Sequence, residues 1–200
     1  MILRRGMLCA SALLLLSACT AAPATRLYLL RPVSDTPIEK STPVVRYPHI
    51  VIREVRLPQY LDRPQIVTRG TGDRLVINEY AHWGSNFRDE MTRVLAENLA
   101  VLLTGSRVMV APVHHNVPQD LRIDLEVTHF ERQMDGQVRL SARWWIEGGE
   151  GREPATALTG EASLMTTPAG DNYEALAAAM SSVYGELALA IATAIRQGGR

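Results

Sequence analysis

The 200-residue chain carries 21 basic and 21 acidic side chains, so its formal charge is zero. That balance excludes the basic surplus or stripe of a nucleic-acid binder, and a cysteine count of two excludes a disulfide-dense scaffold. The length suits one domain with a sizeable core.

The chain opens with Arg4 and Arg5, followed by a mostly apolar run over residues 7–16 that only Cys9 and Ser11 interrupt. A membrane-spanning helix needs roughly 20 apolar residues. A charged start, a short apolar run and small residues behind it describe a secretory signal instead. The run ends in Leu16-Ser17-Ala18-Cys19, which resembles the bacterial lipobox. The resemblance implies cleavage before Cys19 and acylation of its thiol. Residues 1–18 are then a signal peptide, 19–26 a lipidated tether and 27–200 the domain. A plain signal peptide cut near Ala22 is the alternative, but position, spacing and flanks favour the lipidated form. Thr20, where an aspartate would retain a lipoprotein at the inner membrane, implies sorting to the outer membrane on its periplasmic side.

Maturation changes the chemistry available to the domain. Losing Arg4 and Arg5 leaves 19 basic against 21 acidic residues. Cys9 leaves with the signal and Cys19 is occupied by lipid. Disulfides, thiolate metal sites and cysteine nucleophiles are thereby excluded.

The tether, up to Arg26, is small, polar and proline-bearing. Arg26–Leu30 reads as a short strand, and the prolines between 31 and 48 as a loop. His49–Val55 is β-branched and strand-like, ending before Pro58. Gln65–Arg69 and Arg74–Asn78 pair as a hairpin about Gly70-Thr71-Gly72-Asp73. Phe87, Met91, Val94, Leu95, Leu99 and Leu102 recur at helical spacing. Ser85 or Asn86 caps that helix, and Gly105 supplies its left-handed stop. Arg107–Val110 is a strand. Leu121, Ile123, Leu125 and Val127 then alternate with polar residues, and Val138–Ile146 does the same beyond the Asp135-Gly136 turn. Leu158–Leu164 completes a meander with one buried face. Asp171 or Asn172 starts a second helix striped by Leu176, Met180, Val183, Leu187, Ile191 and Ile195. The expected fold is α+β: an antiparallel or mixed sheet with two amphipathic helices packed on it in a single-domain sandwich. The helices cover one face each or share one.

No catalytic constellation emerges, and neither cofactor nor metal is expected. His114 and His115 are adjacent and point apart on extended backbone, which suits a solvated loop. His82 reads as a residue at the start of the first helix. Asp124 and Glu126 share the polar face of one strand, where ion pairing with Arg122, Arg139 or Arg143 is favoured over general acid–base work.

The remaining stretch is Leu57-Pro58-Gln59-Tyr60-Leu61-Asp62-Arg63-Pro64-Gln65-Ile66-Val67. Two prolines restrict it, and tyrosine and arginine are favoured at contact centres. It is either a rigid connection, with Tyr60 and Leu61 tucked under the sheet and Asp62 paired with Arg63, or a partner-facing ledge. Pro58, Tyr60, Leu61, Arg63 and Pro64 are its candidate contact residues. Trp145, on the polar phase of its strand, is a further candidate; packing under a helix is its alternative.

This stretch, with Asn78-Glu79-Tyr80-Ala81-His82-Trp83-Gly84 and Arg93-Val94-Leu95-Ala96-Glu97-Asn98-Leu99, resembles the PqiC family of ABC-type transport auxiliary lipoproteins. The lipobox and the early Leu27-Tyr28-Leu29-Leu30 strand fit that pattern. Ser85 departs from it where an acidic residue is expected. The resemblance implies an outer-membrane-anchored periplasmic partner of an MCE-domain membrane protein. Such proteins form rings or tunnels that carry phospholipid between membranes. The chain would dock the tunnel as a homo-oligomeric ring, without driving transport itself. A lipid-binding shuttle, holding an acyl chain in its own cavity, is the alternative.

Overall fold

Side-chain alternation decides which residues meet the core, and the helical stripes decide what covers them. The computed structural model describes residues 23–33, 46–114, 117–149 and 157–198. Its elements run β1 (Arg26–Tyr28), β2 (His49–Arg56), β3 (Gln65–Arg69), β4 (Leu75–Trp83), α1 (Phe87–Leu102), β5 (Arg107–Val110), β6 (Leu121–Arg132), β7 (Val138–Gly148), β8 (Leu158–Thr166) and α2 (Tyr173–Gln197). Cys19 and its flanking Leu16, Ser17 and Ala18 lie outside the described residues, as does His115.

The twelve-residue β6 organises an eight-stranded mixed sheet. On one side β7 pairs with it antiparallel from Leu121↔Gly148 to Arg132↔Val138, and β8 follows antiparallel to β7. On the other side β6 divides its length between two partners. Its first half runs parallel to β2, and its last residue, Arg132, meets Thr68 of β3. β5 extends the β2 side in parallel, while β4 and then β1 extend the β3 side. The α+β architecture agrees with the sequence reading.

Both helices share one face of the sheet, where the buried halves of β6 and β7 point. Asn86 caps α1 by accepting from the Asp89 amide at 3.2 Å, and Asn172 caps α2 by accepting from Ala175 at 2.8 Å. Gly105, at φ +92°, turns the chain beyond α1, and Gly136, at φ +88°, turns it between β6 and β7. A file of rings fills the space beneath: Trp83 on Phe87 at 4.3 Å, Phe87 on Phe130 at 5.9 Å, Phe130 on Tyr184 at 5.7 Å. Each such ring contributes about 1.5–3 kcal/mol by leaving water. The Tyr184 hydroxyl spends its donor on the Met91 carbonyl at 2.9 Å, bolting α2 to α1. Helix α2 is long and apolar enough to cross a membrane, but its stripe, including Leu176, Val183, Leu187 and Ile191, is buried here.

Residues 29–33 cross above the helices. The Arg31 amide donates to Ser181 Oγ at 3.0 Å and the Val33 amide to Asn98 Oδ1 at 2.7 Å. Gly185 makes room for this crossing, because a Cβ there would lie 2.5 Å from Val33 Cγ1.

Two expectations need correction, and one open alternative is removed. The strand read as Arg74–Asn78 continues to Trp83, so His82 lies in β4 rather than at the start of a helix. The pairing slips between Gln65↔His82 and Val67↔Ile77, and that irregularity breaks the alternation that would have revealed the longer strand. The opening strand stops at Tyr28. Trp145 does not pack under a helix; it lies on the opposite face, while its neighbour Trp144 takes the buried position.

Candidate functional site

The Leu57–Pro64 connection is built as a tight, braced ledge. Pro58 O accepts from the Leu61 amide at 2.9 Å and from the Asp62 amide at 3.3 Å. The Arg63 amide returns to Leu61 O at 2.9 Å, and Pro64 O accepts from the Trp83 amide at 2.7 Å. These bonds fold the loop on itself and tie its end to β4. Leu61 is buried and is the loop's apolar anchor. Pro58, Tyr60 and Arg63 are half-buried and Pro64 is exposed.

Tyr60 is the second anchor, and a polar one. Its hydroxyl donates to Glu131 Oε2 at 3.0 Å. The side chain of Glu131 is inaccessible to solvent. A buried carboxylate needs its lone pairs filled, and here they are. Arg69 Nε and Nη2 donate to Oε1 at 3.0 and 2.9 Å, Gln133 Nε2 at 3.1 Å, and the Phe130 amide donates to Oε2 at 2.8 Å. Burial and the adjacent Glu131 charge push the Tyr60 phenol up to about 12. The phenol therefore stays a donor throughout the neutral range. Arg69 comes from β3 and Glu131 from β6, so this cluster pins the ledge across the junction of the two half-sheets.

Asp62 does not pair with Arg63. Its carboxylate meets Arg88 at the start of α1, and Arg63 Nε donates to Gln65 Oε1 at 3.2 Å. Arg88 in turn lines a groove of about 570 Å³ between α1 and the end of β2, with Arg53, Glu54, Asp89, Arg93 and Glu97. Its walls combine charges of both signs with the apolar side chains of Val55, Ala96, Val110 and Ala111.

Trp145 stands apart from the ledge but is connected to it. The Arg56 guanidinium, on the last residue of β2, lies 5.6 Å from the Trp145 ring centroid. Arg56 is followed directly by Leu57. The outer face around Trp145 is ion-paired: Arg53 binds Asp124, with Nε 3.1 Å from Oδ1, and reaches Glu147 at 3.2 Å. The Asp124 hydrogen bond raises the Arg53 pKa further. Asp124 is therefore an ion-pair partner, as its alternation suggested, although the arginine comes from β2. Arg143 pairs across to Glu161 at 3.8 Å. Among the described residues, no group of three or more His, Cys, Asp or Glu is placed to hold a metal.

Residues 28–192 match the family described as the ABC-type transport auxiliary lipoprotein component. The chain belongs to that family. As an auxiliary lipoprotein it shares its fold with two crystal structures. One, of an uncharacterized protein, superimposes with a TM-score of 0.70 at 20% identity, covering 86% of this chain and 99% of the other. The second, a Xanthomonas campestris protein of the DUF330 family, gives 0.59 at 14% identity, covering 88% and 97%. No curated protein matches the chain.

The sequence reading of this auxiliary lipoprotein missed Glu131, Arg69 and Arg88. Glu131 was legible in part. The β6 pairing shifts between Val127 and His129, so the strand changes phase, and Phe130 and Glu131 are both buried. An acid flanking a phenylalanine at the end of a strict alternation is the only local signal of that change.

Proposed function

We propose that this chain is an outer-membrane-anchored, periplasm-facing subunit of an MCE-type, PqiABC-like phospholipid transport system. It acts as a docking adaptor, through Cys19 acylation at one end and the Leu57–Pro64 ledge at the other, and assembles as a homo-oligomeric ring. Family membership supports a role beside a transporter. The observation that carries the adaptor reading is the braced ledge, where the Tyr60–Glu131–Arg69 cluster fixes Pro58, Arg63 and Pro64 at the surface. A preformed contact loop loses little entropy on docking. The filled space between helices and sheet argues against the shuttle alternative, since rings from β4, α1, β6 and α2 occupy it.

Crosslinking the tagged full-length protein in its native envelope, followed by mass spectrometry of partners, tests this reading. Recovery of an MCE-domain protein supports it. Recovery of unrelated outer-membrane assembly factors, or of the chain alone, sinks the transport role. Phospholipid co-purifying in stoichiometric amount would favour the shuttle.

A further inference from the structure

The outward positions of β6 and β7 carry Arg122, Asp124, Glu126, Arg139, Arg143 and Glu147, as an exposed sheet face should. The opposite end of the sheet breaks this pattern. β1 is the terminal strand beyond β4, and Tyr28 and Trp83, in register, turn inward. Leu27 therefore faces outward beside His82, and it is 66% exposed. Leu29, also exposed, leans over Gly84, where its Cδ2 would lie 3.0 Å from an added Cβ. Tyr80, two residues before His82, is exposed on the same strand. Val76 and Ile77, at the far end of β4, are also exposed, whereas Met134, Met165 and Leu189 belong to separate elements. Leu27 and Tyr80 lie on the β1–β4 pair and Leu29 follows it directly, so the three stand at one open edge.

The occupant follows from the distance between this edge and Cys19. Arg26 lies seven residues after Cys19. Seven extended residues span at most ~25 Å. This edge is therefore the part of the fold that the tether holds nearest to its attachment point. Residues 23–33 contain Arg26 and Arg31 and no acid, and both arginines are exposed. Arg26, in phase with Tyr28, and Arg31, on the crossing segment, lie on the helix side of this edge, while Leu27 and Tyr80 lie on its outer face. An edge with apolar side chains on one side and guanidiniums on the other suits a headgroup boundary, where apolar side chains enter and guanidiniums meet phosphates. Glu79, beside Tyr80, is engaged by Gln65 Nε2 at 3.4 Å, and Glu174 lies 3.9 Å from Arg26.

We infer that the β1–β4 edge, through Leu27, Leu29 and Tyr80, seats directly on the phospholipid leaflet that carries the Cys19 anchor and so fixes the orientation of the domain. This rests on Cys19 acylation, and the test separates the two. The acylated full-length protein, purified from its envelope, is placed in phosphatidylethanolamine–phosphatidylglycerol vesicles containing a nitroxide-labelled lipid. An environment-sensitive maleimide probe is attached at Leu27→Cys, Leu29→Cys, Tyr80→Cys and, as control, Met165→Cys. The mature wild-type chain takes up no label if Cys19 is acylated, so each introduced thiol is unique.

The expected result is several-fold quenching at positions 27, 29 and 80 and none at 165. The Leu27→Glu/Leu29→Glu chain keeps its anchor, floats with the vesicles and loses quenching at position 80. Equal quenching at all four positions on floated protein overturns the seat and leaves the anchor standing. Probes at the edge shielded from both lipid and aqueous quenchers identify a second copy there, which also overturns it. Labelling of wild-type Cys19, with failure to float, removes the anchor and the seat together.

Discussion

Tyr60 and Glu131 lie 71 residues apart in sequence, yet the phenol donates to the buried carboxylate at 3.0 Å. One partner belongs to the surface loop and the other to the central strand, so the bond couples ledge position to core packing. Removing the hydroxyl in Tyr60→Phe leaves Arg69, Gln133 and the Phe130 amide on Glu131. It should cost about 1.5–3 kcal/mol, as for one bond to a charged group. Glu131→Ala strips partners from Arg69, Tyr60 and Gln133 together and should cost about 3–5 kcal/mol. Urea unfolding of both variants checks the order. Equal losses would mean that the hydroxyl carries the whole cluster.

The same pair sets an alkaline limit. Folded Tyr60 ionises at about 12, against its ordinary 10.0, because burial and the Glu131 charge disfavour phenolate. As pH rises the unfolded chain loses this proton first, so it binds fewer protons than the native state. The Tyr60 contribution is fully present below pH 10 and is lost as pH climbs towards 12. Burial shifts Tyr184 in the same direction, so the alkaline loss should persist in Tyr60→Phe but with a smaller slope. Chemical denaturation at successive pH values, alongside tyrosinate absorbance, measures it. An unchanged slope in the variant would contradict the assignment.

Local signals carried much of the fold. β3, β5 and α1 lie where β-branched runs and the 3.6-residue stripe placed them, and Asn86 and Asn172 cap as their side-chain chemistry suggests. What escaped is long-range. Nothing near His49–Arg56 announces that it runs parallel to both β5 and β6. Nothing near Asp62 distinguishes adjacent Arg63 from Arg88, 26 residues on. Irregular pairing hid the rest: slips in β4 and β6 change the phase of alternation, which concealed the burial of Glu131 and the strand position of His82.

Two glycines offer a contrast in packing. A Cβ at Gly160 would lie 2.3 Å from Trp144 Cζ2 and 2.5 Å from Cε2, and that indole is a rigid, buried ring. Gly160→Ala should destabilise by about 1–3 kcal/mol through overpacking. At Gly185 the obstacle is Val33 Cγ1 at 2.5 Å, the tip of a half-buried side chain on the crossing segment. Gly185→Ala should cost less, and its effect should be confined to residues 29–33. Thermal unfolding ranks the two, and amide exchange at Arg31 and Val33 locates the second. A larger loss at 185 would show that the crossing segment is held more firmly than the β7–β8 pair.

The ledge itself is tested by separating docking from folding. Arg63 makes one side-chain hydrogen bond, to Gln65, and its neighbour Pro64 is exposed, so neither holds the core. Arg63→Glu reverses a charge at the candidate contact while leaving Leu61 and the Tyr60–Glu131 bond in place. Unfolding should shift by no more than about 0.5 kcal/mol, as for a surface change. The envelope crosslink to an MCE-domain partner should fall several-fold, because a like-charge or unpaired contact in a docked interface is costly. Arg143→Glu, on the outer sheet face, serves as the matched control. If both variants crosslink like wild type, the partner docks elsewhere and the ledge is only a rigid connection. If the outer-face variant alone loses the partner, docking moves to the face that displays Trp145.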